Sequence, residues 1–343
     1  MSVDTHAPAT AAEQFAMRRQ SPVQRIQHLL HSHPALSPLA VLVIAFIAFT
    51  IINTRFAQPA TLSIIIQQTA IIGALAIGQT LIVLTAGIDL SVGAICILSM
   101  LFMANLAANN GVPGLLALIL GIALGTFLGL VNGLLVTRLN LPPFIVTLGT
   151  LSIFTAVGLL YSGGASVGRR DMPALLNFMG TPIPIGGFRI TVGVLFVVLL
   201  AVVVAFALSQ TAWGRHVYAV GDDIEAARLV GIRVDRVLLS VYTVAGLIYG
   251  LTAWALIGRA GTASPNAIVN ANLETITAVV IGGTSLFGGR GGILGTMLGA
   301  LIVYAFNIGL SLAGVDDQLR VLAIGVLIIV AVSVDQWIRK VKA

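Results

Sequence analysis

The hydrophobic positions of this chain fall into long, nearly uncharged runs separated by short polar loops. Most runs approach the roughly 20 apolar residues that a helix needs to cross a bilayer, although the eighth is short. The pattern predicts an all-α, polytopic integral membrane protein with about ten transmembrane helices. The runs are 37–53, 62–85, 91–108, 114–137, 144–162, 190–209, 237–257, 274–287, 292–312 and 318–336.

Tight, glycine-rich turns interrupt the pattern at 86–90 and 287–291. Broken or re-entrant helices are therefore expected at both places. The segments GIDLSVG (87–93) and GGTSLFGGRGG (282–292) each lead into a run from the same predicted side, which hints at an internal repeat. The predicted structural turn residues are Gly87, Asp89, Ser91, Gly282, Gly283, Gly288 and Gly289.

Asp89 lies between two apolar runs, where a charge is costly and often functional. Asp89 and Ser91 also suit the N-cap of the third run, and capping is the favoured interpretation. Glu274 similarly begins the eighth run.

The composition supports a membrane protein, because 58% of the residues are hydrophobic and only 9% are charged, against about 25% in soluble domains. The net charge of +6 is spread over short loops. That distribution indicates membrane orientation rather than nucleic-acid binding. Cys96 is the single cysteine, so no intrachain disulfide can form.

The positive-inside rule fixes a predicted orientation. With the N-terminus inside, inner segments carry 12 of the 18 basic residues and outer segments carry 6, and the 163–189 loop faces outside. The predicted organisation is a cytoplasmic tail (1–36), a transmembrane permease domain (37–337) containing a cytoplasmic loop (210–236), and a cytoplasmic tail (338–343). The inner basic residues are Arg18, Arg19, Arg25, Arg138, Arg215, Arg228, Arg233, Arg236, Arg290, Arg339, Lys340 and Lys342, and the outer ones are Arg55, Arg169, Arg170, Arg189, Arg259 and Arg320.

The N-terminal tail is too long and polar for the start of a cleaved signal. Val23, Ile26 and Leu29 share one side of a possible helix on the inner membrane surface, and a mobile tail is the equal alternative. The tail's three closely spaced histidines have no Cys or acidic partner nearby, so no metal site is predicted. They are His28, His31 and His33.

The segment 213–236 holds eight charged residues between two apolar runs, so it must lie in water at a membrane face. Asp222 and Glu225 form a D-x-x-E helix start, and good helix formers follow. A helix over 222–232 is predicted, too short to span a bilayer and suited to contact with another protein.

Glycines recur every four residues on several runs, which places them on one helix face and lets neighbouring helices approach closely. The phased sets are Gly121, Gly125, Gly129 and Gly133; Gly246 and Gly250; and Gly291, Gly295 and Gly299.

Polar residues within the runs either hydrogen-bond a hydroxylated solute or hold helices together. The candidates for a solute path are Gln67, Gln79, Asn132, Thr147 and Asn307. No chain of buried carboxylates and no catalytic constellation is apparent. Gly283 and Gly288 have phosphate-loop spacing, but Gly289 and Arg290 follow where the motif requires Lys and then Ser or Thr, so ATP binding by this chain is not expected.

Four segments give the chain a specific resemblance: TAGIDLSVGA (85–94), NLPPFIVTLGT (140–150), GRHVYAVGDDIEAARLVGI (214–232) and AVVIGGTSLFGGRGGILGTMLGALI (278–302). From about residue 62 onward, the chain resembles the permease subunits of ATP-binding-cassette sugar importers of the ribose/xylose/fructose type. TAWGRHVYAVGDD (211–223) and VDQWIRKVKA (334–343) look most like fructose-import permeases. Asn272-Leu273-Glu274 departs from the Glu-Leu-Asp of many relatives, as does Gly221-Asp222-Asp223 from their GGN.

The resemblance implies a bacterial inner-membrane protein that binds no cofactor itself and is not an enzyme. Two permease copies would form the path, a cytoplasmic ABC ATPase would use ATP and Mg, and a periplasmic binding protein would deliver sugar. The 222–232 helix would then couple ATPase closure to transport. The implied coupling residues are Gly221, Asp222, Asp223, Glu225, Ala226, Ala227, Arg228 and Gly231.

Three functions remain open on the residues alone. The first is an importer permease for a monosaccharide, or for another small polar solute such as a polyol. The second is a self-contained secondary carrier or channel. The third is a membrane scaffold without a solute path. Transport that requires an added ATPase would separate the first from the second, and measured flux would exclude the third.

Overall fold

The computed structural model describes residues 36–340, with side chains for 37–326, 329 and 333. The predicted tail helix and the three tail histidines lie outside this part of the chain.

Thirteen α-helices make up most of the described residues. They are α1 Leu36–Ile52, α2 Pro59–Leu84, α3 Val92–Ala108, α4 Gly114–Arg138, α5 Pro143–Ser162, α6 Ala174–Asn177, α7 Val192–Gln210, α8 Ala212–Asp222, α9 Ile224–Leu229, α10 Val234–Ala260, α11 Ala271–Ile281, α12 Ile293–Leu312 and α13 Asp317–Lys340. Short strands are β1 Val167–Gly168, β2 Pro182–Ile185, β3 Phe188–Thr191 and β4 Thr262–Ala263.

Six helices are long and apolar enough to cross a membrane, so the chain is a multi-pass membrane protein. They are α2, α4, α5, α7, α10 and α12. The helices α1 and α3 are apolar but have 17 residues each, and α11 has 11. All ten predicted runs overlap helices. Within the described residues, six of these helices are long and apolar enough to cross, so the predicted number of about ten is not confirmed.

The eighth predicted run was placed wrongly at its C-terminal end. It was expected to reach residue 287, but α11 ends at Ile281 and an irregular segment follows until α12 begins at Ile293. Gly283 adopts φ +83°, a left-handed conformation that ends a helix. The apolar residues after it therefore lie in a turn, although their hydrophobicity alone resembles a helix.

Two of the four phased glycines of α4, Gly125 and Gly129, let its backbone touch that of α10, while Gly121 faces the Met103 side chain of α3. Close approach to a neighbouring helix was predicted from the glycine spacing. A Cβ on Gly125 would lie 2.9 Å from both the carbonyl oxygen of Gly246 and the Cα of Gly250. A Cβ on Gly129 would lie 2.8 Å from the Cα of Gly246. Because every added atom would meet backbone, this contact depends on the absence of side chains.

The predicted outer loop is more ordered than a simple connection. Strands β2 and β3 form an antiparallel hairpin in which Ile183 pairs with Ile190, and β1 pairs with β4 through Val167 and Ala263. The second pairing ties this loop to the segment directly after α10.

Candidate functional site

The charged segment folds as two helices, not the single helix predicted from Asp222 to Ile232. Asp222 ends α8, and Asp223 is the true N-cap of α9. The Asp223 Oδ1 accepts hydrogen bonds from the backbone N–H groups of Glu225 at 2.9 Å and Ala226 at 3.0 Å. The sequence signal for a cap was real, but it was assigned one residue too early.

Helix α8 was missed by the sequence analysis. Its buried residues are Gly214, Val217, Val220 and Gly221, which recur at helical spacing on one face. Thr211 caps it by accepting from the Gly214 N–H at 3.2 Å. Arg215 and His216, between the buried positions, made the segment look like a charged loop.

Helix α9 has six residues and one buried side chain, that of Ala227. At its end, Leu229 is 89% exposed and Val230 is 76% exposed. Glu225 and Arg228 form an ion pair at 2.9 Å on the exposed side. An apolar tip flanked by charges on so short a helix is typical of a surface that another protein covers.

The C-terminal end of α8 meets both predicted structural turns in one place. We call this place the turn junction, and it consists of Leu84, Ala86, Gly221, Gly288 and Gly289. The Gly289 N–H donates to the Leu84 carbonyl at 3.0 Å. A Cβ on Gly221 would collide with the Leu84 oxygen and lie 2.7 Å from the Gly289 nitrogen. The segments after α2, after α8 and after α11 therefore touch backbone to backbone.

Polar side chains from neighbouring helices hold the first turn (85–91). Asn132 Nδ2 of α4 donates to Ser91 Oγ at 2.8 Å, and Thr147 Oγ1 of α5 donates to the Ile88 carbonyl at 2.9 Å. With its amide oriented to satisfy both halves, Gln79 donates to the Asp89 carbonyl at 3.0 Å and accepts from the Asp89 N–H at 3.2 Å.

Three of the five candidate path residues are thus buried and joined to one turn: Gln79, Asn132 and Thr147. The other two lie elsewhere. Gln67 Nε2 donates to the Arg189 carbonyl at 2.7 Å, and Asn307 Oδ1 accepts from the Arg320 guanidinium at 3.3 Å.

Asp89 and Ser91 differ from the predicted capping arrangement. Ser91 occupies the N-cap position of α3 but makes no side-chain capping bond. Asp89 Oδ1 instead accepts from both the N–H and the Oγ of Ser91, at 2.7 and 2.6 Å. The carboxylate therefore shapes the turn before the helix rather than the first helical turn itself.

A polar contact joins α11 and α12, and only the position of its acidic residue was predicted. Tyr304 Oη donates to Glu274 Oε2 at 2.9 Å, and both side chains are partly buried. Glu274 lies in the first turn of α11, as expected, but the sequence carried no signal that pairs it with Tyr304 30 residues later.

The second turn is built from glycines that fit against neighbouring backbone. A Cβ on Gly282 would lie 2.5 Å from the carbonyl carbon of Gly295 in α12. The Ser285 N–H donates to the Arg290 carbonyl at 2.8 Å, which closes the loop. Within this turn (282–292), Gly282, Gly288, Gly289 and Gly291 therefore have a packing role, whereas Gly292 has nothing within 4 Å.

Gly231→Pro is expected to weaken docking of a partner on α9 without preventing membrane insertion. Gly231 lies beyond the end of α9 rather than inside the predicted 222–232 helix, so the effect does not depend on a proline within a helix. Its φ of +85° is inaccessible to proline, and its N–H donates to the Arg228 carbonyl at 3.0 Å. Pull-down of a partner ATPase measures the loss. Gly231→Asn is the control, since Asn tolerates this conformation, and equal recovery with both variants would contradict the expectation.

Comparison with known proteins gives a consistent result. Residues 61–332 match the family described as branched-chain amino acid transport system, permease component. The chain is 50% identical to a fructose import permease protein of Rhizobium meliloti, over 98% of this chain and 94% of the relative. It is 39% identical to a ribose import permease protein of Bacillus subtilis, over 88% and 92%. It is 36% identical to a D-allose transport system permease protein of Escherichia coli, over 80% and 83%. No solved structure matches.

Proposed function

The chain belongs to this family of transport-system permease components, and from that premise we propose that it is the membrane permease of an ATP-driven monosaccharide importer. The observation that carries the proposal is 50% identity to a fructose import permease over nearly the full length of both chains. Fructose is the proposed solute, with another sugar or a polyol as the alternative.

The proposed complex contains a second permease copy, a cytoplasmic ABC ATPase that hydrolyses ATP with Mg, and a periplasmic binding protein. The exposed tip of α9, Leu229 and Val230, supports docking of the ATPase at this point. Both termini and 210–236 are then cytoplasmic, in a chain of about ten crossings. In this arrangement α1, α3 and α13 add to the six longer spans. The 11-residue α11 makes the tenth crossing together with the irregular segment 282–292 that follows it.

We assign the solute contacts to polar side chains that make no hydrogen bond to the 85–91 turn. Gln67 and Asn307 remain candidates, and Glu274 with Tyr304 joins them, because partly buried polar groups within apolar helices often mark a solute path. The turn is then held in position by Gln79, Asn132 and Thr147. Their substitution would therefore affect the transport rate more than the solute preference.

Reconstitution of the chain with its ATPase and binding protein tests the function directly. We expect uptake of labelled fructose that requires both ATP and the ATPase. An excess of unlabelled fructose should reduce this uptake more than an excess of ribose, allose or a polyol does. Uptake at the same rate without the ATPase would identify a secondary carrier. Absence of flux with every sugar from a correctly assembled complex would favour a scaffold.

The triple variant Asp223→Ala/Glu225→Ala/Arg228→Ala should uncouple ATP hydrolysis from uptake and leave the sugar ranking unchanged. Loss of the Asp223 cap costs a helix about 1 kcal/mol, whereas the exposed Glu225–Arg228 pair contributes little. Asp223→Ala alone should therefore reproduce most of the effect, and the Glu225/Arg228 double variant serves as its control. ATP turnover and sugar competition are measured together, and an altered ranking would place selectivity on this loop.

A further inference from the structure

A cleft at the predicted cytoplasmic ends of α4 and α10 is rich in arginine and takes no part in the turn junction. We call it the arginine cleft. Its charged lining residues are Arg138, Arg228, Arg233, Asp235 and Arg236. It combines the last turn of α4, Arg228 of α9, the residues that follow α9, and the first two turns of α10.

The charge of this cleft is not balanced from within the described part of the chain. Arg228 is paired with Glu225. Among the described side chains, the other three arginines, Arg138, Arg233 and Arg236, have no ion pair, and Asp235 is the one acidic group in the lining. The first turn of α10 adds the positive end of a 27-residue helix. An anion is therefore the matching ligand.

An apolar surface lies directly beside the charge. Leu134 is 38% exposed and precedes Arg138 by one turn on the same face of α4. Leu139 and Leu141, just beyond the helix, are 59% and 40% exposed. A ligand that carries a phosphate at the level of Arg138 and a hydrocarbon chain at the level of Leu134 would satisfy both surfaces.

We propose that the arginine cleft binds the headgroup phosphate of an anionic phospholipid of the inner leaflet. Basic pockets between helices on the cytoplasmic side suit such headgroups, because the lipid supplies the anion and the acyl chains at the same depth. Arg228 of α9 lines the cleft, but Leu229 and Val230 do not, so lipid in the cleft leaves the apolar tip of α9 free to contact a protein. This proposal depends on the predicted orientation and not on the solute.

Native mass spectrometry of the purified, delipidated chain tests the proposal. Dioleoyl phosphatidylglycerol is expected to bind at least about tenfold more tightly than dioleoyl phosphatidylcholine. Arg138→Gln/Arg233→Gln/Arg236→Gln should abolish that preference. The matched control removes three exposed arginines from predicted outer segments: Arg55→Gln, Arg169→Gln and Arg170→Gln. The control should retain the preference, and a lysine version of the cleft triple should recover part of it.

Three results would overturn the proposal. The glutamine triple could bind phosphatidylglycerol as the unaltered chain does, which would place the lipid elsewhere. Inorganic phosphate at the same concentration could displace the lipid fully, which would indicate a site for a soluble anion. The triple could keep lipid binding but lose recovery of the ATPase, which would make the cleft part of a protein interface.

Discussion

Gly125→Leu should abolish the folded protein. Helices α4 and α10 touch through their backbones at this point, where even a Cβ would lie 2.9 Å from the Gly246 oxygen, the Gly250 Cα and the Ser99 Oγ. Overpacking a core costs about 1–3 kcal/mol when side chains can rearrange. Here two of the three neighbouring atoms are backbone, so α4 and α10 must separate along much of their length.

The measurement is the yield of monodisperse protein on size-exclusion chromatography in detergent. Gly149→Leu on α5 is the matched control, because it makes the same change at an exposed glycine with nothing within 4 Å. We expect near-normal yield from Gly149→Leu and less than about a tenth from Gly125→Leu. Equal yields would show that the α4–α10 contact does not stabilise the fold.

The stage at which Gly125→Leu should fail depends on which helix packs against the glycine face of α4. On sequence alone, the glycine face of α4 was expected to meet a neighbouring helix, which could belong to the same chain or to a second copy. The neighbour is α10 of the same chain. Failure should therefore already appear in the isolated permease, before any ATPase is added.

The positions of the membrane helices were predictable because bilayer-spanning helices require long apolar runs, and those runs dominate this sequence. The predicted helices were wrong where an apolar segment is not helical or where a helical segment is not apolar. The apolar residues after Ile281 form a turn, because Gly282 fits against α12 and Gly283 takes a left-handed conformation that ends the helix. Helix α8 shows the reverse case, in which charged residues on one face obscured the buried face of Val217 and Val220.

The candidate site was predictable as a set of segments but not as an arrangement. Local signals found the cap near Asp223 and the glycines of both turns, since caps and turns depend on neighbouring residues. The contact of Gly221 with Leu84 joins residues more than 130 positions apart. Such contacts follow from helix packing, so a single sequence contains no local pattern for them. The same reason explains why Gln79, Asn132 and Thr147 were not linked to the 85–91 turn.

Gly221→Ala should leave the complex assembled and reduce transport by at least about tenfold. Helix α9 carries the exposed tip, and α8 connects that tip to the turn junction, where Gly221 touches the Leu84 oxygen and the Gly289 nitrogen. In the proposed complex, movement of α9 by the ATPase would reach both turns through these contacts. A methyl group on Gly221 forces α8 away from them, while the cap at Asp223 and the residues of α9 stay unchanged.

Gly292→Ala is the matched control, since it adds the same methyl group to the second turn at a position with nothing within 4 Å and an extended backbone. ATPase recovery, ATP turnover and sugar uptake are measured for both variants and divided by the amount of monodisperse permease. We expect Gly292→Ala to match the unaltered chain, and Gly221→Ala to retain ATPase recovery while sugar uptake per ATP falls. Normal uptake per ATP in Gly221→Ala would mean that movement of α9 reaches the membrane helices by another route. The nearest alternative is the short connection through Ile232 into α10.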